Sequence, residues 1–185
     1  MTRPFDCQDL IVLSPRRFQD NRGWFSETWT QKQMQEAGIA EALVQDNHSY
    51  SALAGTLRGL HYQRSPRAQH KLVRCSRGTI LDVAIDARLG SPTYGRNYAL
   101  ELSAANGKQL FIPKGFLHGF QALENDCEVQ YKCSDYYAPE HEGIVRWDSL
   151  GIKWPLTAAP IISDKDRDGA DFALWKSPFN MGELL

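Results

Sequence analysis

The chain of 185 residues has no apolar run approaching the roughly 20 residues that a helical membrane span requires. Its first residues, Met1-Thr2-Arg3-Pro4-Phe5-Asp6, hold no apolar core of the secretory kind, so the cytosol is the expected compartment. The four cysteines, Cys7, Cys75, Cys127 and Cys133, include no Cys-x-x-Cys pair, which speaks against a zinc ribbon or a redox motif. In a cytosolic chain such thiols are expected as small buried residues rather than bridges. A net charge of −1 argues against general binding to nucleic acid or a membrane. Repeats, low-complexity runs and linkers are also missing, so residues 1–185 are expected to form a single domain.

A more local absence carries information. From Asn47 to Leu81 there is no acidic residue, while Arg58, Arg64, Arg67, Lys71, Arg74 and Arg77 all fall in this stretch. His48, His61 and His70 lie there too. Two explanations fit: a solvated basic face, or a pocket for a small anion such as a diphosphate, which arginine forks bind well.

What is present is mostly β-strand signal. Short runs of β-type residues are separated by turns at Asp20-Asn21-Arg22-Gly23, Arg77-Gly78, Leu89-Gly90-Ser91-Pro92 and Ala105-Asn106-Gly107. Strands are expected over 10–13, 23–29, 44–50, 56–63, 71–76, 79–86, 96–102, 109–112, 119–122 and 127–136, and another at 143–147. One helix is signalled, with Thr30 and Gln33 in a capping-box pattern and Gly38 where a C-terminal cap belongs. The stretch 152–155 reads as a packed excursion, and 163–175 as loops or a short helix. The fold class is therefore mainly β, a barrel or sandwich with a few short peripheral helices.

Alternation along a strand sorts side chains by face. Cys127, Val129, Tyr131 and Cys133 share a face that their apolar company marks as interior. Lys71 shares a face with Val73 and Cys75, again interior. Ideal alternation groups His61 with Leu57, Gly59 and Gln63, and places Arg58 opposite with Leu60 and Tyr62. A Lys, a His and a Tyr directed into one barrel are costly to bury without partners or a task. For Tyr131 alone, a core tyrosine bonded to backbone is the simpler explanation.

The segment from Gly107 to His118, with its Pro113-Lys114-Gly115 turn, resembles the second motif of the cupin superfamily. The first motif of metal cupins needs two histidines one residue apart and then a glutamate. Here Gln63 stands at the second histidine, and no Glu follows before Gly78, so the resemblance is to a jelly-roll cupin without a metal, and no cofactor is implied.

A finer match is to the dTDP-4-dehydrorhamnose 3,5-epimerase family. It runs from Asp20 to about Asp168, through Asp20-Asn21-Arg22-Gly23-Trp24-Phe25-Ser26-Glu27, Gln45-Asp46-Asn47-His48-Ser49, Gly55 to Gln63, Lys71 to Arg74, Asp82 to Arg88, Ile112 to Phe120, Tyr131 to Glu142, and Ser163 to Asp166. The resemblance implies a cofactor-free isomerase acting at C3 and C5 of a dTDP-4-keto-6-deoxy-hexose. His61 resembles the family's base, Asp166 the carboxylate that orients it (Asp164 and Asp168 rank lower), Lys71 the cation for the C4 enolate, and Tyr131 the acid on the far sugar face. His118 is expected at the sugar end of the pocket.

For the nucleotide, Arg22, Phe25 and Glu27 resemble the base-recognition strand, Gln45, Asn47 and Arg58 the groups holding diphosphate and sugars, and Tyr137 a second aromatic wall. For Arg58 to serve the same ligand as His61, either a bulge redirects one of them or Arg58 reaches around a sheet edge. The family also implies a homodimer with exchanged N-terminal strands. The chain departs from the family pattern at His70, where a small residue is usual and where the ring either narrows the pocket or points outward. It also departs in a shorter loop at 147–152. Two other classes stand beside this reading: a metal-dependent cupin, disfavoured by Gln63, and a non-catalytic sugar-nucleotide binder, disfavoured by His61, Lys71 and Tyr131 together.

Overall fold

The computed structural model describes residues 1–3, 5–155 and 160–183. In chain order the strands are β1 (Ile11–Leu13), β2 (Phe18–Asp20), β3 (Gly23–Phe25), β4 (Gln45–Ser51), β5 (Leu57–Gln63), β6 (Lys71–Arg77) and β7 (Thr79–Asp86). They continue as β8 (Arg88–Leu89), β9 (Asn97–Ser103), β10 (Gln109–Ile112), β11 (Phe116–Ala122), β12 (Cys127–Cys133), β13 (Glu142–Ile144) and β14 (Phe179–Asn180). Two short helices join them, α1 (Gln31–Glu36) and α2 (Asp164–Arg167).

Two antiparallel sheets of five strands make the body, in the orders β1-β10-β6-β12-β4 and β13-β5-β11-β7-β9. Between them, Val12, Val73, Leu110 and Val129 of the first sheet meet Ile80, Ala84, Leu102 and Phe120 of the second in one buried cluster. Each outer face is then covered separately. Met34 and Ile39, in and just after α1, pack on Ile11, Leu72 and Phe111 of the first sheet. Trp154 and Phe179 from the C-terminal third cover Leu57, Leu60 and Leu117 of the second. No described helix is long and apolar enough to cross a membrane.

The local signals explain most of these elements. Thr30 caps α1 by accepting from the Gln33 amide, a bond worth about 1 kcal/mol, and Gly38 takes φ +84° just past the helix end. The Gln33 side chain donates to Glu27 instead of closing the capping box. All four cysteines are buried free thiols. Trp154 is buried with its indole N–H on the Trp147 carbonyl, as expected for the packed excursion.

Several boundaries differ from the sequence pattern. The expected strand at 23–29 stops at Phe25, because residues beyond it turn toward α1 rather than pair. That at 127–136 stops at Cys133, because Ser134 bonds the His70 backbone and turns the chain away. The strand at 119–122 begins earlier, at Phe116, and the one at 143–147 spans only Glu142–Ile144. β2, β8 and β14, two or three residues each, carry too little pattern to be anticipated.

Candidate active site

The interior faces of the two sheets deliver the polar side chains. On β12, Cys127, Val129 and Tyr131 join the central cluster, as alternation requires, and on β6 Val73 and Cys75 do the same. Register places Tyr131 opposite Val73 on one side and Asn47 on the other, and Cys133 opposite Lys71 and Gln45. Lys71, Tyr131, Asn47 and Gln45 thus come from three adjacent strands of the first sheet.

The second sheet contributes through an irregularity. His118 of β11 pairs with His61 of β5, but Phe120 pairs with Arg58, so Gly59 and Leu60 together oppose Gly119 alone. One extra residue in β5 makes a bulge. Simple alternation had set Arg58 opposite His61; with the bulge, both line the same cavity. Leu57, grouped with His61 by alternation, instead joins Leu60 and Tyr62 in the outer cluster. The bulge also brings backbones together. A Cβ on Gly59, at φ +123°, would lie 2.6 Å from the Gly119 Cα and 2.7 Å from the His118 carbonyl oxygen.

Two cavity lobes, of about 270 and 220 Å3, share His61, Lys71 and Tyr131 as walls. In the second lobe His61 Nε2 lies 2.6 Å from Asp166 Oδ1. Asp166 is buried on α2, its other oxygen accepting from the Gly59 amide at 3.2 Å and its own amide donating to the Ser163 hydroxyl. Burial pushes the Asp166 carboxyl up, but the His61 bond and the Gly59 and Ser163 contacts outweigh it and hold the group below the usual carboxylate value. The neighbouring carboxylates do other things: Asp164 pairs with Arg167, and Asp168 is exposed at the helix end.

A second imidazole–carboxylate pair sits beside the first. His118 Nε2 lies 2.7 Å from Asp82 Oδ1, and both side chains are buried. Burial lowers the His118 pKa, although Asp82 pulls the other way. Burial likewise lowers Lys71, against the opposing influence of Cys133, Asp82 and Glu142, and raises the Tyr131 phenol. Among the described residues no carboxylate is within 4 Å of the Lys71 ammonium. Arg58 is held along β4, with Nε on the Ser51 hydroxyl and Nη2 on the Tyr50 carbonyl.

The other lobe is closed by Tyr137. Its amide donates to Gln45 Oε1 and its hydroxyl to Glu142 Oε2, each at 2.8 Å, and Lys165 donates to the same Glu142 oxygen. Gln45 also donates to Asn47, and Asn47 to the Cys133 thiol. His70 does not narrow this cavity. It stacks on Phe111 at 5.5 Å on the outer side of the first sheet, with Glu41 at 3.4 Å.

Arg22, Phe25 and Glu27 line neither lobe. Arg22 is paired with Asp20 on an exposed hairpin, Phe25 is 69% exposed, and Glu27 accepts from Gln33. Sequence reasoning gave no role to Asp82, Glu142 or Lys165. Asp82 had a readable signal: a carboxylate at the interior position between Ile80 and Ala84 of β7. Glu142 and Lys165 had none, since only the tertiary fold brings β13 and α2 to the same rim.

Two packed sheets enclosing an imidazole, an ammonium and a phenol define an enzyme of the cupin-like β kind. A family model described as dTDP-4-dehydrorhamnose 3,5-epimerase matches residues 4–173. A dTDP-4-dehydrorhamnose 3,5-epimerase of Pseudomonas aeruginosa is 50% identical over 168 residues, covering 89% of this chain and 92% of its own. The crystal structure of the Bacillus anthracis enzyme of that name, with TDP and PPi bound, has a TM-score of 0.85 at 47% identity, over 87% of this chain and 93% of that one. A Legionella pneumophila dTDP-6-deoxy-D-glucose-3,5-epimerase in complex with dTDP-4-keto-L-rhamnose gives 0.89 at 41%, over 98% and 94%. The chain belongs to the dTDP-4-dehydrorhamnose 3,5-epimerase family.

Proposed function

We propose that this chain, working as one domain, converts dTDP-4-dehydro-6-deoxy-D-glucose into dTDP-4-dehydro-L-rhamnose by inverting C3 and C5, a step of dTDP-rhamnose biosynthesis. The observation that carries the reading is the shared cavity of His61, Lys71 and Tyr131, with Asp166 behind the imidazole. The C4 ketone acidifies the hydrogens on both neighbouring carbons. His61 removes one as a proton, and the C–H electrons form the enolate with its charge on O4. In the neutral tautomer that donates Nε2–H to Asp166, the lone pair of Nδ1 is the base, and the carboxylate stabilises the imidazolium that forms.

Lys71 stabilises the enolate oxygen, and its desolvation strengthens that attraction. His118, held by Asp82, borders the same sugar end. Tyr131, kept protonated by burial, returns a proton to the opposite face, and the collapse of the enolate restores the ketone. Neither step consumes an oxidant or a cofactor. Arg58, Gln45 and Asn47 hold the diphosphate and sugars, and Tyr137 is an aromatic wall for the nucleotide.

Arg22, Phe25 and Glu27 complete the base site of a second subunit in a homodimer that exchanges N-terminal strands. The exposed Phe18, Trp24 and Phe25 on the β2–β3 hairpin support an arm of this kind. The enzyme works in the cytoplasm, without nucleic acid or membrane. Proton NMR of the 4-keto substrate in deuterated water tests the reading. Deuterium at both C3 and C5 is expected; label at one carbon reduces the activity to a single epimerisation, and no label rejects it.

A further inference from the structure

Gln63 is 6% exposed and spends its whole carboxamide on backbone. Its Nε2 donates to the carbonyls of Arg67 at 2.7 Å and Tyr136 at 3.2 Å, and its Oε1 accepts from the Ala138 amide at 2.8 Å. Tyr136 and Ala138 flank Tyr137, so one side chain grips the backbone on both sides of the ring. Gln45 holds the amide of Tyr137 itself. Gln69, through the Asp135 carbonyl, and Arg67, through the Asp135 carboxylate, anchor the residue immediately before Tyr136. Gln63 is also the second residue after His61 on β5, so the strand that bears the imidazole fixes the aromatic mouth of the cavity.

We infer that Gln63 is a positioning residue for substrate binding, acting through the backbone of residues 136–138 to set the ring of Tyr137 at the pocket entrance. The inference rests on Tyr137 being a wall of the nucleotide site. A carboxamide is required because the segment presents carbonyls and an amide together: a carboxylate has no donor for the carbonyls, and an apolar side chain leaves all three groups unpaired. His61 keeps its contact with Asp166 without help from this amide, so the effect falls on binding and not on proton transfer.

The test is a double-mutant cycle read by calorimetric binding of dTDP, with steady-state epimerisation alongside. Gln63→Met is expected to raise the dTDP Kd and the substrate KM roughly tenfold and to leave kcat within about threefold. Tyr137→Ala is expected to weaken dTDP binding by a similar or larger factor. The double variant should then bind no more weakly than Tyr137→Ala alone, because Gln63 has nothing left to position. Additive losses, an unchanged Kd in Gln63→Met, or a fall in kcat at constant KM each overturn the inference. Unweakened binding in Tyr137→Ala overturns the nucleotide-wall reading and this inference with it. If Gln63→Met does not fold, Gln63→Glu, which keeps shape and the acceptor, enters the same cycle with the same expectations.

Discussion

His61 and His118 are direct partners across the β5–β11 ladder, and each gives its Nε2 to a different buried carboxylate, Asp166 and Asp82. The two pairs are not equivalent. His61 is a third exposed and opens into both lobes, whereas His118 is buried. In the proposed reaction the more open pair serves proton transfer and the closed one borders the sugar.

Removing the base should therefore stop isotope exchange. His61→Ala is expected to lower deuterium incorporation by roughly 10²–10⁴-fold, the usual share of a general base, with dTDP binding retained. Exchange at the native rate in this variant would assign the base elsewhere.

Tyr131→Phe separates removal of a proton from its return. Substrate hydrogen should still wash out into deuterated water, because His61 takes and redelivers on one face, while net inversion slows. Native product formation in this variant would take the acid role from Tyr131.

Lys71 is expected to trade stability for activity. Its pKa is depressed by burial, so between the folded and the unfolded values the unfolded chain binds more protons, and the destabilising contribution fades as pH rises toward 10.5. Lys71→Met should abolish turnover yet raise the melting temperature at neutral pH, by roughly 2–4 °C for each kcal/mol recovered. The gain should shrink toward pH 10.5. A melting temperature that falls at neutral pH would contradict this.

For Asp166 the sign is opposite. Its folded pKa lies below the ordinary 3.8, so the ionised carboxylate adds stability that is present above that value and is lost as pH falls through the lowered one. Asp166→Asn should be less stable than the native chain at neutral pH, and the difference should narrow over the interval below pH 3.8 as the carboxylate takes up its proton. A gap that stays constant over that interval would show that ionisation is not its source.

The glycine contact beneath the site predicts a large structural cost. Gly59→Ala puts a methyl group into the Gly119 backbone at a positive φ, and should destabilise the fold by ~2–5 kcal/mol in denaturant titration. A loss under 1 kcal/mol would mean that the two strands separate easily.

Much of this site was legible in the chain itself. Two-residue periodicity turned Tyr131, Lys71, Val73 and Cys75 inward, because the register of a half-buried strand is fixed by its apolar face. Cap chemistry located α1 from Thr30 to Gly38. Family resemblance alone ranks Asp166 above its acidic neighbours; the residues themselves give no reason, since what distinguishes it is burial against Gly59, more than a hundred residues away in sequence. For Arg58 and His61 the sequence leaves two routes open, a bulge or a reach around the sheet edge, and the pairing of β5 with β11 supplies the bulge. The β2–β3 hairpin leaves Phe25 facing outward, so the proposed base site draws on a second chain and lies beyond what one sequence folds by itself.

The single unpaired residue in β5 has an evolutionary corollary. Arg58 and His61 stay in phase at a spacing of three only while one residue between them remains unpaired. A straightened strand of the same length would send a guanidinium or an imidazole out of the cavity, whereas loss of the extra residue would keep both inside at the regular spacing of two. Drift in this segment is therefore restricted by its pairing with β11, and replacement is confined further by the crossing at Gly59. A short tract of backbone thereby limits which relatives of this enzyme can exist.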